Sequence, residues 1–100
     1  MLRIETSQEL MMVFLIGEID HHCAGELREE IDRVAERVRP KTMILDFSDV
    51  GFMDSSGIAL ILRAQQRMQL LDGSLLVCNV PAQAKRVLDA AGIGRLVTIR

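Results

Sequence analysis

Aromatic residues are scarce in this sequence, which contains no tryptophan, no tyrosine and only three phenylalanines. It also lacks a basic block, since 12 Lys and Arg residues face 14 Asp and Glu residues and the formal net charge is -2. Direct nucleic-acid binding needs cationic side chains to neutralise phosphates and commonly uses aromatic side chains as stacking platforms. The composition therefore disfavours direct nucleic-acid binding, so any role in transcription is expected to be indirect.

Cysteines and long apolar runs are also few. The two cysteines, Cys23 and Cys78, form no Cys-x-x-Cys pair, so the sequence indicates neither a zinc site nor a redox motif, and we expect two reduced, mostly buried thiols. The apolar run over residues 10–16 is seven residues long, whereas a membrane-spanning helix needs about 20. We therefore expect a cytoplasmic protein with no membrane span.

What is present is enough apolar material for one core. The chain has 100 residues, of which 49% are hydrophobic and 26% charged, and this predicts a single domain over residues 1–100. Strand-like and helix-like segments alternate, which predicts an α/β fold. Strands are predicted over residues 10–17, 43–47, 74–78 and 96–99, with a weaker first strand over residues 2–5 that pairs with the next as a hairpin.

Three helices are predicted between these strands, over residues 24–39, about 56–71 and about 81–91. Asp20 is a possible N-cap of the first helix, Pro40 stops it, and Gly92 ends the third. The sheet is expected to be mixed and mostly parallel, with about five strands. Because crossovers between parallel strands are right-handed, we expect the helices mainly on one side.

The segment over residues 46–57, DFSDVGFMDSSG, joins the third predicted strand to the second helix. Binding sites of α/β folds gather where the C-terminal ends of parallel strands meet helix N-termini. Asp54, Ser55 and Ser56 precede the helical run, so one of them is expected to act as its cap. Spacing alone leaves open whether the string is a plain N-cap or a functional site.

The second helix carries two apolar residues, Ile58 and Leu62, outside its core-facing side. They lie on a line with Gln65 and Gln69, beside Ser55. Either neighbouring loops cover Ile58 and Leu62, or the two side chains form a small docking patch for a partner protein.

Three segments together support a family resemblance: residues 17–24 (GEIDHHCA), 46–58 (DFSDVGFMDSSGI) and 88–94 (LDAAGIG). They resemble the STAS domain, and the bacterial anti-sigma factor antagonists in particular, over nearly the whole chain and in the same order. The Asp-Ser-Ser-Gly joint is the most specific segment. The Gly-Glu-Ile-Asp-His-His stretch favours the sporulation-type anti-sigma F factor antagonists.

The resemblance implies a phosphorylation switch. In this family the unphosphorylated protein binds an anti-sigma factor that is also a serine kinase, which releases the sigma factor. The kinase then phosphorylates the serine after the motif aspartate, which by position is Ser55, and a separate serine phosphatase restores it. The partner-binding surface is expected to comprise Asp20, His21, His22, Asp54, Ser56, Gly57, Ile58 and Leu62, with no cofactor and no metal.

Two features depart from the family pattern. Cys23 stands where the family often has Thr, which is expected to weaken a cap. The chain ends at Arg100, just after the last predicted strand, where many members have a further helix. That end leaves open a shorter domain, a face covered by a partner, or a truncated chain.

Two other functions compete with this interpretation. His21, His22, Asp54 and Ser55 include the side-chain types of a hydrolase, but the sequence has no Gly-x-Ser-x-Gly elbow, no phosphate loop and no dinucleotide fingerprint, so we expect no enzyme. A STAS subunit of a lipid-transport complex would share the fold without needing a phosphorylatable serine. The serine at position 55 and the His-His pair favour the antagonist.

Overall fold

The computed structural model describes residues 1–100 and contains one sheet flanked by helices. Along the chain the elements are β1 Leu2–Ser7, β2 Leu10–Ile19, α1 Ala24–Val38, β3 Thr42–Met53, α2 Ser55–Leu70, β4 Ser74–Cys78, α3 Ala82–Ala91, a 3-10 helix Ile93–Arg95 and β5 Thr98–Ile99. The five strands lie in sequence order, with β1 antiparallel to β2 and every other pair parallel. The predicted mixed, mostly parallel α/β sheet is confirmed.

The two faces of the sheet differ in burial because side chains alternate along a strand. On β2, Met11, Val13 and Leu15 are almost completely buried, whereas Met12 and Phe14, which point the other way, are half-exposed. The buried residues of the three helices join the same core cluster as the buried strand residues. The helices therefore cover one face, as right-handed crossovers between strands in sequential order require.

The hairpin of β1 and β2 is confirmed, with Leu2 opposite Leu15 and Ser7 opposite Leu10. The open face of this hairpin carries Arg3, whose guanidinium carbon lies 4.4 Å from the centroid of the Phe14 ring. Such a cation–π contact at an exposed site contributes roughly 0.5–1 kcal/mol. It also shields part of an aromatic ring that no helix covers.

Several predicted boundaries were wrong. The third strand extends to Met53 instead of ending at residue 47, because backbone pairing with β2 continues through two register shifts that break the side-chain alternation. The last strand is only Thr98–Ile99, since Leu96 and Val97 donate their backbone N–H groups to the Ile93 carbonyl and continue the turn of the 3-10 helix. Helix α1 ends at Val38, where Arg39 takes a left-handed conformation with φ 51° and donates its backbone N–H to the Ala35 carbonyl.

Helices α1 and α2 are tied together by an ion-pair cluster on Asp32. Its Oδ2 lies 3.1 Å from the Nε of Arg63, and its Oδ1 lies 3.5 Å from the Nε of Arg67. The second contact is an ion pair only. Oδ1 is buried and accepts no hydrogen bond. None of the helices has both the length and the apolar character needed to cross a membrane.

Candidate functional site

The start of α2 is capped by Asp54. Its backbone is extended, at φ −105° and ψ −168°, and its Oδ1 accepts a hydrogen bond from the Ser56 backbone N–H at 2.7 Å. Asp54 therefore fills the capping role that the sequence left open among three residues. Ser55 becomes the first helical residue, and its exposed hydroxyl is not used in capping.

Gly57 lets the first turn of α2 lie directly on β3. The residue is buried, and a Cβ placed on it would overlap Sδ and Cγ of Met53, whose side chain is itself fully buried. Ser56 and Asp54 are half-buried beside it. The Met53 side chain thus lies beneath Gly57 in the first turn of α2, and glycine at position 57 sets how closely the helix approaches it.

The loop after β2 lies next to this helix start. Ile19, the last residue of β2, pairs with Met53, and the Asp54 backbone N–H donates to the Ile19 carbonyl at 3.1 Å. Asp20, His21 and His22 follow Ile19 directly. The structure therefore brings the predicted loop and the predicted Ser55 segment to the same edge of the sheet.

Asp20 does not cap α1, contrary to the prediction. Cys23 takes the N-cap position and makes no side-chain capping bond, as expected for a residue that stands in place of Thr. The Asp20 carboxylate instead closes the turn before the helix, accepting from the backbone N–H groups of His22 at 3.0 Å and Cys23 at 3.2 Å. Because the carboxylate bonds to these two N–H groups of the turn, it does not cap the first N–H groups of the helix.

Asp20 contributes a negative charge at this edge of the sheet. A hydrogen bond from the Cys23 thiol, with further help from the backbone N–H groups of His22 and Cys23 and the charge of His22, lowers the pKa of Asp20 although partial desolvation opposes it. The rings of His21 and His22 are exposed, and their centroids lie 4.0 Å apart. Asp20 is therefore a carboxylate at neutral pH.

The apolar pair on α2 has an intermediate exposure. Ile58 and Leu62 are half-exposed and absent from the buried face of the helix, yet both pack against the rim of the core. Part of each side chain is therefore held by the core and part is exposed to solvent, and the docking patch stays a prediction. On the same line, Gln65 donates from Nε2 to the Leu96 carbonyl at 3.0 Å.

Sequence reasoning missed a buried carboxylate below the site. Asp46 is only 8% exposed, and its Oδ1 accepts from the Ser48 hydroxyl at 2.7 Å and the Ser48 backbone N–H at 2.8 Å, while Oδ2 accepts from Asn79 Nδ2 at 3.0 Å. Burial alone would raise the pKa of Asp46, but these bonds and one from Cys78 outweigh it and lower the pKa. Burial and the adjacent Asp46 charge raise the pKa of the Cys78 thiol.

Two further residues near Ser55 carried no sequence signal. Phe52 lies two positions before Asp54 and is 43% exposed, an unusual fraction for a large aromatic side chain. Gln83 of α3 makes two hydrogen bonds to the Met53 backbone, one in each direction. An alternating pattern of apolar and polar residues would have suggested Phe52, but the register shifts in this part of β3 destroy that pattern.

The site is a surface and not a pocket. The largest surface cavity, about 480 Å³, is lined by residues of the β1–β2 turn with Lys41 and Thr42, and the other two cavities also exclude Ser55. An exposed hydroxyl, an adjacent acidic cap, a partly apolar helix face and a neighbouring polar loop suit contact with a protein better than enclosure of a small molecule.

Comparison with known proteins agrees with this geometry. The model of the STAS domain family matches residues 1–100. The chain belongs to the STAS domain family. The resemblance read from the sequence is thereby confirmed over the whole chain.

The relatives within the STAS family carry informative names. The chain is 30% identical over 98 residues to the anti-sigma F factor antagonist of Paenibacillus polymyxa. The aligned region covers 98% of this chain and 84% of that protein. It is 27% identical to the anti-sigma-B factor antagonist of Bacillus subtilis, over 96% of this chain and 86% of that protein.

Two similar solved structures are of proteins named SpoIIAA, one unphosphorylated and one phosphorylated. The unphosphorylated anti-sigma factor antagonist SpoIIAA superposes with a TM-score of 0.86 at 26% identity, over 100% of this chain and 88% of that one. The phosphorylated form of Bacillus SpoIIAA gives a TM-score of 0.76 at 26% identity, over 100% and 91%. The predicted fold is confirmed by both likenesses.

Proposed function

We propose that this protein is an anti-sigma factor antagonist whose unphosphorylated form binds an anti-sigma factor and so releases a sigma factor. The names of its STAS relatives and the likeness to SpoIIAA support this proposal. The observation on this chain that carries it is the Ser55 hydroxyl, which is exposed at a helix start while the neighbouring Asp54 does the capping. A serine with no structural duty there is free to serve as a phosphate acceptor.

The partner is proposed to be a serine kinase that phosphorylates Ser55, and a separate serine phosphatase reverses the modification. Phosphate adds about −1.5 to −2 charges at pH 7. The helix N-terminus stabilises an anion at this position, whereas the Asp54 carboxylate repels it, so the two effects offset within about 1 kcal/mol. The fold of the domain is therefore expected to survive phosphorylation.

Binding is expected to respond differently. The proposed docking surface surrounds Ser55 and consists of Asp20, His21, His22, Asp54, Ser56, Gly57, Ile58 and Leu62. A neutral hydroxyl is easily buried there, but a dianion beside Asp54 is not. An unpaired charge buried at an interface costs about 2–5 kcal/mol, which corresponds to roughly 30-fold to several thousand-fold in affinity.

The proposal also assigns the protein to a class and a place. It acts as a binding protein and not as an enzyme, and it forms one domain over residues 1–100. It works in the cytoplasm, on a sporulation-type pathway. It neither contacts nucleic acid directly nor spans a membrane. The negative formal charge supports the absence of direct nucleic-acid contact. The lack of a phosphate loop in the sequence supports a binding protein over an enzyme.

Mass mapping after incubation with the cognate anti-sigma factor kinase and ATP tests the site. Ser55→Ala should abolish phosphorylation and Ser56→Ala, the adjacent control, should leave it in place. Continued modification of Ser55→Ala at Ser56 would show that the site assignment is wrong.

Calorimetric titration of the partner with ADP present tests the switch. The unmodified protein and Ser55→Ala should bind alike, Ser55→Asp should bind more weakly, and the phosphorylated protein should bind most weakly because it carries the larger charge. Equal affinities of the unmodified and phosphorylated forms would refute the mechanism.

A further inference from the structure

We propose that Gln83 is a positioning residue for Ser55, fixing the backbone from which the phosphate acceptor is presented. The proposal rests on the function proposed above. Gln83 Oε1 accepts from the Met53 backbone N–H at 2.9 Å, and Gln83 Nε2 donates to the Met53 carbonyl at 2.9 Å. Met53 is separated from Ser55 only by the capping residue Asp54.

The bonds of Gln83 replace a missing strand. The pairing of β3 with β4 ends at Asp46 and Cys78, so the rest of β3 has β2 on one side and no strand on the other. A buried backbone N–H or carbonyl without a partner is costly. A carboxamide offers one acceptor and one donor side by side, as a neighbouring strand residue would. Gln83 thus pairs with Met53 where β4 no longer reaches.

Met53 therefore contacts β2, α2 and α3. Ile19 pairs with it from β2, Gln83 pairs with it from α3, and its side chain supports Gly57 in the first turn of α2. Asp54 follows immediately and bonds to the Ile19 carbonyl. Loss of the Gln83 contact would free one side of this backbone while leaving the core beneath it in place.

The chemistry of position 83 makes the proposal specific. Asparagine is one methylene shorter and cannot make both bonds from the same backbone position. Glutamate keeps the length but, when ionised, presents only acceptors, so an oxygen would face the Met53 carbonyl. Alanine removes both bonds. Gln83→Ala therefore tests the loss of both bonds, and Gln83→Glu tests the loss of the bond that Nε2 donates to the Met53 carbonyl.

A matched control lies on α2. Gln65 also makes one hydrogen bond from its amide to a backbone carbonyl, that of Leu96, at 3.0 Å. Gln65→Ala therefore removes a side-chain bond of the same kind at a place that does not touch Met53. Any effect shared by Gln83→Ala and Gln65→Ala is a general effect of losing such a bond.

The first measurement is amide hydrogen exchange by NMR on the isolated full chain. Gln83→Ala should speed exchange of the Met53 amide about tenfold, with a smaller change at Asp54 and Ser55 and none in β4. Gln83→Glu should keep part of the Met53 protection because its oxygen still accepts. Unchanged exchange at Met53, or a change spread equally over the whole sheet, would overturn the proposal.

The second measurement is steady-state phosphorylation by the kinase that modifies the parent chain. Gln83→Ala should lower kcat about tenfold with little change in KM, because docking is intact but the hydroxyl is poorly aligned. Gln65→Ala should keep the kcat of the parent, because the Gln65 amide bonds to Leu96 and not to Met53. Equal kcat for Gln83→Ala and the parent would overturn the positioning role. If the parent itself is not phosphorylated at Ser55, the proposed function fails, and the exchange data alone decide whether Gln83 orders this backbone.

Discussion

The two halves of β3 are built in different ways. Residues 42–46 pair in regular register with both β2 and β4, so the sheet fixes them from both sides. Residues 48–53 pair only with β2, through register shifts, and rely on side chains for the rest of their bonds, from Gln83 and from the Asp46 cluster. Both halves contribute to the core, the regular half through Met43 and Leu45 and the irregular half through Val50 and Met53. The irregular half ends at the candidate site. The candidate site therefore lies on backbone that strands bond from one side only, next to backbone that strands bond from both sides.

Two phenylalanines of β3 differ sharply in burial and so test what this part of the strand contributes to stability. Phe47 lies at the boundary between the two halves, and Phe52 lies inside the irregular half. Phe47 is 0% exposed and Phe52 is 43% exposed. Phe47→Ala should lower the free energy of unfolding by about 3–5 kcal/mol, whereas Phe52→Ala should change it by less than about 1 kcal/mol. Urea denaturation followed by circular dichroism measures both values. A similar loss of unfolding free energy for the two variants would show that Phe52 supports the fold as much as the buried Phe47 does, despite its exposure.

Two glycines test the close approach of α2 to the irregular half. Gly57→Ala forces a methyl group against Met53 and should cost about 1–3 kcal/mol of stability, as overpacking of a dense core does. Gly51→Ala is the control, because no atom lies within 4 Å of a Cβ there and its φ is not positive. Thermal unfolding of both variants gives the comparison. An unaltered melting temperature for Gly57→Ala would show that Met53 moves aside freely.

Asp46 sits at the junction of the two halves and is predicted to give a pH signature. Its folded pKa is lowered, so its contribution is present above the unfolded value of 3.8 and is lost as pH falls through the folded pKa, from about pH 4 downward. Asp46→Asn should cost about 1–3 kcal/mol at pH 7, since hydrogen bonds to a charged group are lost. Urea unfolding at pH 7 and about pH 3 should show that this cost shrinks in acid. A cost independent of pH would assign it to shape and not to charge.

A small stability effect is expected for Leu62, on the surface of α2. Leu62 is half-exposed, so Leu62→Ala should cost about 1 kcal/mol of folding free energy, below the about 2–5 kcal/mol of a core truncation. It should weaken partner binding more than it weakens folding. Calorimetry and urea denaturation on the same sample compare the two losses. A core-sized loss of stability with unchanged binding would exclude a docking role for Leu62.

The sequence predicted best where side-chain pattern and backbone pairing coincide. Strand β4 was predicted with its observed bounds, and α2 within one residue at each end, because apolar periodicity follows burial in those elements. The Asp54–Ser55 joint was located for the same reason, since a cap and an apolar run are local signals. The predicted fold followed from the order of these elements.

What could not be predicted depends on contacts between distant parts of the chain. The second half of β3 carries no alternation, and nothing near Gln83 in sequence indicates that it bonds to Met53 across 30 positions. Asp46 and Asn79 meet only because β3 and β4 are neighbours in the sheet. The capping role given to Asp20 was wrong because the competing turn donors, His22 and Cys23, lie closer to its carboxylate than the helix N–H groups do.

The bond from the Asp54 N–H to the Ile19 carbonyl has a consequence for the proposed phosphorylation of Ser55. A peptide spanning residues 46–62 contains the whole motif but lacks β2 and α3. These elements supply the Ile19 and Gln83 hydrogen bonds that fix the motif backbone in the folded chain. Nascent, unfolded or proteolysed copies lack these bonds as well. Phosphorylation would then report that a copy has folded, and misfolded copies would neither be marked nor compete for the enzyme that marks the rest.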